Sequence, residues 1–116
     1  MSGKIDFTTL SVKTGSVPQG DTNLNLSEGK WLIFAYCTVL VNGSEKNLSI
    51  KKNGTAIAES FFGNNSGSIW SNICVFTITD VGSTDVIKVN AGISSAPDGI
   101  RNRWIAIKLG TATEVI

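Results

Sequence analysis

Apolar and polar positions alternate along this chain in short runs separated by turn signals, and no helix-length 3.6-residue period appears. The runs at 4–12, 22–27, 30–41, 47–52, 55–62, 69–79, 85–91 and 103–109 are predicted strands. Asn42-Gly43 and Asn53-Gly54 are two-residue hairpin signals, because both central positions of the favoured turn need φ > 0. Further breaks are expected at GSVPQGD (15–21), GNNSGS (63–68), DVGSTD (80–85) and SSAPDG (94–99). Eight strands at this spacing predict an all-β, two-sheet jelly-roll β-sandwich, with residues 1–116 forming one domain.

The strands sort into two kinds. In 47–52, Leu48 and Ile50 oppose Asn47, Ser49 and Lys51, and in 85–91, Ile87, Val89 and Ala91 oppose Lys88 and Asn90. Each of these presents one face to water. The stretch GKWLIFAYCTVLVNG (29–43) differs, since no charge falls between Lys30 and Asn42. Trp31, Ile33, Ala35, Cys37, Val39 and Val41 line one side, and Leu32, Phe34, Tyr36 and Leu40 the other, with Thr38 the polar exception. Successive side chains of a strand point to opposite faces, so this strand must hide both. Much of 69–79 is also two-sided, with Ile73 and Val75 opposing Cys74, Phe76 and Ile78, as is 103–109, where Trp104 and Ala106 oppose Ile105 and Ile107. A sandwich buries one face of each sheet, so the second face needs another cover. A second copy of the chain is the natural one.

Composition narrows the chemistry. Ten Lys+Arg against nine Asp+Glu give net +1, which leaves no electrostatic footprint for nucleic acid and no polybasic patch for a membrane surface. The longest apolar segment is well short of a bilayer span, so no membrane insertion is expected. MSGKIDFTTLSV lacks the apolar core and cleavage site of a secretory signal and reads as a chain made without export, with Cys37 and Cys74 as buried free thiols. The sequence contains no His, which removes Ser-His-Asp and Cys-His arrangements and the commonest metal ligand. No phosphate-binding glycine loop, zinc spacing or EF-hand pattern occurs, so no cofactor, metal or catalytic residue is expected. The acids Glu45, Glu59, Asp80, Asp85 and Asp98 fall at turns or exposed strand positions, although two could still meet in space as a glycosidase pair. The Asn-x-Ser/Thr patterns at Asn42, Asn47, Asn53 and Asn64 read as turn chemistry at Asn42 and Asn53 before they read as glycan acceptors.

In order, G-x-W-x-I-x-A, then x-N-G, L-x-I-x-K-N-G-x-x-I-A, I-x-V and W-I-A-I-K-L resemble the tumour-necrosis-factor and complement globular-head jelly rolls. They are most similar to the compact versions that end bacteriophage tail fibres and receptor-binding proteins. The likeness spans roughly residues 29–110 and is carried by GKWLIFAYCTV, LSIKKNGTAIA and RNRWIAIKLG. Where the family often opens its penultimate strand with Gly-Asp, this chain has GSTDVIKV, which implies a longer turn. The resemblance implies a homotrimer with inner sheets packed around a threefold axis, and Leu32, Phe34, Tyr36, Ile105 and Ile107 at the subunit contact. A partly wet contact of that kind also gives the Tyr36 hydroxyl a partner.

Binding is expected before catalysis. The loops GNNSGSIW and SSAPDGIRNR carry Asn64, Asn65, Trp70, Asp98, Arg101 and Arg103, a set suited to sugar hydroxyls through hydrogen bonds and ring stacking. The competing structural reading makes Trp70 a core residue, Asn64 and Asn65 turn residues, and Arg101 and Arg103 solvated charges. The expectation is a trimeric adhesin head of a phage tail fibre or similar viral protein, carried on the virion, made in the host cytoplasm, that recognises a host cell-surface glycan or protein. A structural trimerisation cap or virion decoration, and a secreted complement- or cytokine-like signalling head, are the alternatives.

Overall fold

The structure is a computed structural model that describes residues 11–41, 46–62, 69–92 and 101–110. The chain folds into eight strands: β1 (Ser11–Ser16), β2 (Gly20–Asn23), β3 (Gly29–Val41), β4 (Lys46–Lys52), β5 (Thr55–Phe62), β6 (Ile69–Val81), β7 (Ile87–Gly92) and β8 (Arg103–Gly110). They form two four-stranded antiparallel sheets, sheet I in the order β1-β8-β3-β6 and sheet II in the order β2-β7-β4-β5. Consecutive strands mostly alternate between sheets, which is the jelly-roll arrangement expected from the strand spacing.

Between the sheets lies a core that takes one side of every long strand. Trp31, Ile33, Ala35, Cys37 and Val39 of β3 meet Ile73 and Val75 of β6, Trp104 and Ala106 of β8, Leu48 and Ile50 of β4, and Ile87, Val89 and Ala91 of β7. These are the β3 positions that the alternation assigned to the interior. The one polar atom of Trp31 is satisfied, because its indole Nε1–H donates to the Ser27 carbonyl at 2.8 Å.

Two tight turns follow from local chemistry. Asn53 (φ 53°) and Gly54 (φ 84°) both occupy the left-handed region, as a two-residue hairpin between β4 and β5 demands. In the turn from β6 to β7, the Asp85 carboxylate accepts from the Gly82 N–H at 2.8 Å and the Asp85 N–H donates to the Gly82 carbonyl at 3.1 Å. That turn is the longer one implied by GSTDVIKV, and β7 begins at Ile87 rather than at 85. Asn42-Gly43 lies outside the described residues.

The N-terminal boundaries differ from the expectation. Residues 4–10 of the first predicted strand lie outside the described residues, and β1 runs on through Gly15 and Ser16, where a break was expected. The reason is long-range. Gly15 pairs with Trp104, and a Cβ at Gly15 would stand 2.6 Å from the Trp104 indole nitrogen. The glycine therefore marks a close approach to a buried ring and not a turn. Likewise β2 ends at Asn23 instead of reaching 27: the Asn23 Oδ1 accepts from the Asn25 N–H at 2.9 Å, and Asn25 turns into the left-handed region at φ 51°.

Gly15→Ala is expected to destabilise the fold by about 1–3 kcal/mol, the usual cost of forcing atoms into a packed core, whereas Ser16→Ala should be nearly neutral. Urea titrations of the two variants against wild type provide the check.

Candidate functional site

On the outer face of sheet I the strand registers assemble the second apolar set of the sequence. Ile107 pairs with Val12 on one side and Leu32 on the other, and Leu32 continues to Ile78. The next row is Thr14, Ile105, Phe34 and Phe76. Together they form an apolar band that crosses all four strands. No described part of the chain covers its side chains: Phe76 is 66% exposed, Ile78 57%, Val12 55% and Phe34 37%, while Leu32, Ile105 and Ile107 are half-buried by their neighbours. Phe34 stacks on Phe76 with centroids 6.4 Å apart and tilts against Tyr36 at 6.1 Å.

Polar pairs close the band at both ends. At one, Lys30 Nζ lies 3.1 Å from Asp80 Oδ1. At the other stand the row Arg103–Tyr36–Cys74 and, beyond it, Thr38–Asn72, where the Thr38 hydroxyl donates to the Asn72 Oδ1 at 3.0 Å. Trp70 follows on the same face of β6, 61% exposed.

The five residues expected at a subunit contact, Leu32, Phe34, Tyr36, Ile105 and Ile107, thus share one face. Sequence reasoning omitted Val12, Phe76 and Ile78 from that set. The two-sided pattern of 69–79 already pointed to Phe76 and Ile78, and Val12 required the β1–β8 register. Of the residues expected at a ligand, Asn64, Asn65 and Asp98 lie outside the described residues. Trp70 lies on the outer face of sheet I, so its reading as a core residue is overturned, because the parity of β6 is set by Ile73 and Val75 facing inward. Arg101 is exposed just before β8, and Arg103 is half-buried on the outer face, where its Nη2 donates to the Thr14 hydroxyl at 3.2 Å. Between them Asn102 is buried and structural. Its Oδ1 accepts from the Thr38 N–H at 2.8 Å and its carbonyl from the Val17 N–H at 2.9 Å, which ties the start of β8 to β3 and to the end of β1.

The cysteines also depart from expectation. Cys37 is buried and Cys74 is exposed. Tyr36 pairs with Cys74 and Cys37 with Ile73, so the two thiols occupy adjacent strands but opposite faces of sheet I, and both are free. Burial pushes the Cys37 thiol up to about 11, which makes it an inert core group.

Asp85 and Asp21 act as structural groups. Asp85 Oδ1 accepts from the Asn53 amide at 2.8 Å, the Asn53 Oδ1 accepts from the Val86 N–H at 2.8 Å, and Lys52 Nζ stands 3.6 Å from Asp85 Oδ2. The hydrogen bond from Asn53, then that from the Gly82 N–H, and the Lys52 charge hold the Asp85 carboxyl below its usual 3.8. Asn53 acts as a turn residue through both its amide nitrogen and its amide oxygen. On the outer face of sheet II, the hydrogen bond from Asn90 and the charges of Lys51 and Lys88 likewise lower Asp21. No group of three or more His, Cys, Asp or Glu among the described residues is placed to hold a metal ion. An open groove of about 350 Å3 runs between the adjoining edges of the two sheets, lined by Ala58, Glu59 and Ser60 of β5 and Cys74, Val75 and Phe76 of β6.

No protein-family model matches the sequence, and no curated protein matches it either. Among solved structures, the Eiger TNF from S. frugiperda aligns with a TM-score of 0.60 over 95% of this chain and 91% of that chain, at 9% identity. The fold is a TNF-like jelly roll. At that identity the likeness is one of architecture alone.

A carboxyl lowered by folding stabilises the protein fully above its usual titration range and loses that contribution as pH falls through its folded value. Asp85→Asn is accordingly expected to lower the melting temperature at pH 7 and to flatten its decline between about pH 5 and about pH 2. Parallel thermal melts of wild type and variant across that range check it.

Proposed function

We propose that this chain is the trimeric, non-enzymatic receptor-binding head of a phage tail fibre or similar viral appendage, which recognises a host cell-surface glycan or protein from the virion. The observation that carries the reading is the apolar band on the outer face of sheet I. Apolar surface is worth about 25 cal/mol per Å2 removed from water, so a band of seven apolar side chains left wet forfeits several kcal/mol and invites aggregation.

The distribution of exposed apolar groups favours a ring over a two-fold pair. Beside the band, the edge where β5 meets β6 carries Ile57 and Phe61, both exposed, and the open groove. Ile57 projects because a register shift in β5 at the Ile50/Lys51 position leaves it without a partner in β4. A face on one subunit that meets a different surface, the edge, on the next is a heterologous contact, and such contacts close into rings when the rotation allows. Three subunits is the number that the resemblance to tumour-necrosis-factor and phage heads supplies. Tyr36, at the boundary between band and polar rows, suits a contact that is dry at its centre and wet at its rim.

A second reading has a specific observation behind it: the aligned structure is an insect TNF, which favours a cytokine-like signalling head. Binding of labelled protein to whole bacteria supports the viral adhesin, and binding to animal cells without bacterial binding supports the signalling head. A folded trimer that binds neither is a structural cap.

Light scattering is expected to give about three times the 12.3 kDa chain mass. Phe34→Asp, Tyr36→Asp or Phe76→Asp should each yield monomer or aggregate. A well-behaved wild-type monomer at micromolar concentration contradicts the assembly.

A further inference from the structure

Trp70 stands apart from the apolar band. On β6 the outer-facing positions from Phe76 to Trp70 pass through Cys74 and Asn72, and six residues of strand place the indole roughly 20 Å from Phe76 at about 3.3 Å per residue. The Thr38–Asn72 row separates it from the Tyr36 row at the rim of the proposed subunit contact, so packing the band against a neighbouring subunit leaves the indole unexplained. It remains 61% exposed while Trp31 and Trp104 are buried in the core.

The position of Trp70 in the topology is equally specific. β1 begins at Ser11 opposite Lys108, near the end of β8, so the described chain enters and leaves at the same end of the sandwich as the Asn53-Gly54 turn. Trp70, at the start of β6, stands at the other end, with the ends of β3 and β7 and the start of β8. Ser11 and Gly110 therefore both stand at the end away from the indole.

We infer that Trp70, with Asn72 and Thr38, is a saccharide platform at this distal end, the indole stacking on the C–H face of a pyranose and the amide and hydroxyl bonding its hydroxyl groups. This inference rests on the receptor-binding reading and narrows its ligand to a glycan. Three features favour a sugar over a protein. Beside the indole on this face stand Asn72 and Thr38, both polar and able to bond sugar hydroxyls, with Leu40 of β3 as the cross-strand partner of Trp70. One ring and a few hydrogen bonds are what a single sugar residue needs. The strip is also held in place before any ligand arrives: the Asn72 Oδ1 accepts from the Thr38 hydroxyl, and the Thr38 N–H is fixed by buried Asn102. With its oxygen engaged by Thr38, the exposed Asn72 offers its Nδ2–H groups as donors.

Trp70 is the one exposed tryptophan of three, so its fluorescence reports on the site. The experiment applies the full chain to a printed array of bacterial and animal oligosaccharides, then titrates the strongest binder while following acrylamide quenching. The expected result is that the oligosaccharide protects the quenchable tryptophan, that Trp70→Ala weakens binding at least tenfold, that Trp70→Phe weakens it less, and that neither variant changes the mass by light scattering. Asn72→Ala should weaken binding severalfold with Trp70 intact. Array binding that Trp70→Ala leaves unchanged overturns the platform, as does an altered oligomeric mass in that variant, which assigns Trp70 to the subunit contact. Whole-cell binding without any array signal overturns the glycan and leaves the receptor-binding reading standing. Absence of both sinks the two together.

Discussion

The structure turns on one strand that is apolar on both sides. β3 sits in the interior of sheet I, hydrogen-bonded to β8 along one edge and to β6 along the other, so it cannot rotate a face out of the way. Its inward side chains complete the sandwich. Its outward side chains, Leu32, Phe34 and Tyr36, are continued by their cross-strand partners on β8 and β6 into a layer that no described part of the chain covers. Single-subunit packing satisfies half of this strand and leaves the other half as a surface that demands a partner.

The rest of the fold directs that demand. Ion pairing of Lys30 with Asp80 and the Thr38–Asn72 hydrogen bond set polar limits at either end of the band, so the sticky area is bounded along the strands. Sheet II, by contrast, carries a polar row of Asp21, Asn90, Ser49 and Glu59 along its strand registers, of which Ser49 is buried. The two sheets differ in outward chemistry although they share one core. That asymmetry gives the proposed assembly an inside and an outside.

Much of this was legible in the sequence because period-two alternation is a local property. The inward set of β3, the half-wet character of β7, and the Asn53-Gly54 hairpin all follow from residues within a few positions of each other, whereas Ser49, expected on a wet face of β4, is buried. What escaped depended on partners far away in the chain. Gly15 looks like a turn residue until Trp104 is placed beside it. Cys74 and Cys37 read alike as buried thiols, and the β3–β6 register puts them on opposite faces, Cys37 buried and Cys74 exposed. Trp70 has the composition of a core residue, and its exposure follows from its parity relative to Ile73. Asp85 seemed a generic turn acid, whereas its carboxylate joins the β6–β7 turn to the β4–β5 hairpin. The resemblance to tumour-necrosis-factor heads anticipated the architecture, and the alignment with the Eiger TNF agrees with it at the level of fold.

The central claim is that the outer layer of sheet I is shielded by sister subunits and not by solvent. Photochemical carbene footprinting across a dilution series tests it most directly, because the label reacts with whatever side chains it can reach. Phe34, Phe76 and Ile78 should be protected at high protein concentration and become labelled as dilution dissociates the assembly, while Trp70 labels throughout. Equal labelling of Phe34, Phe76 and Trp70 at every concentration would contradict it.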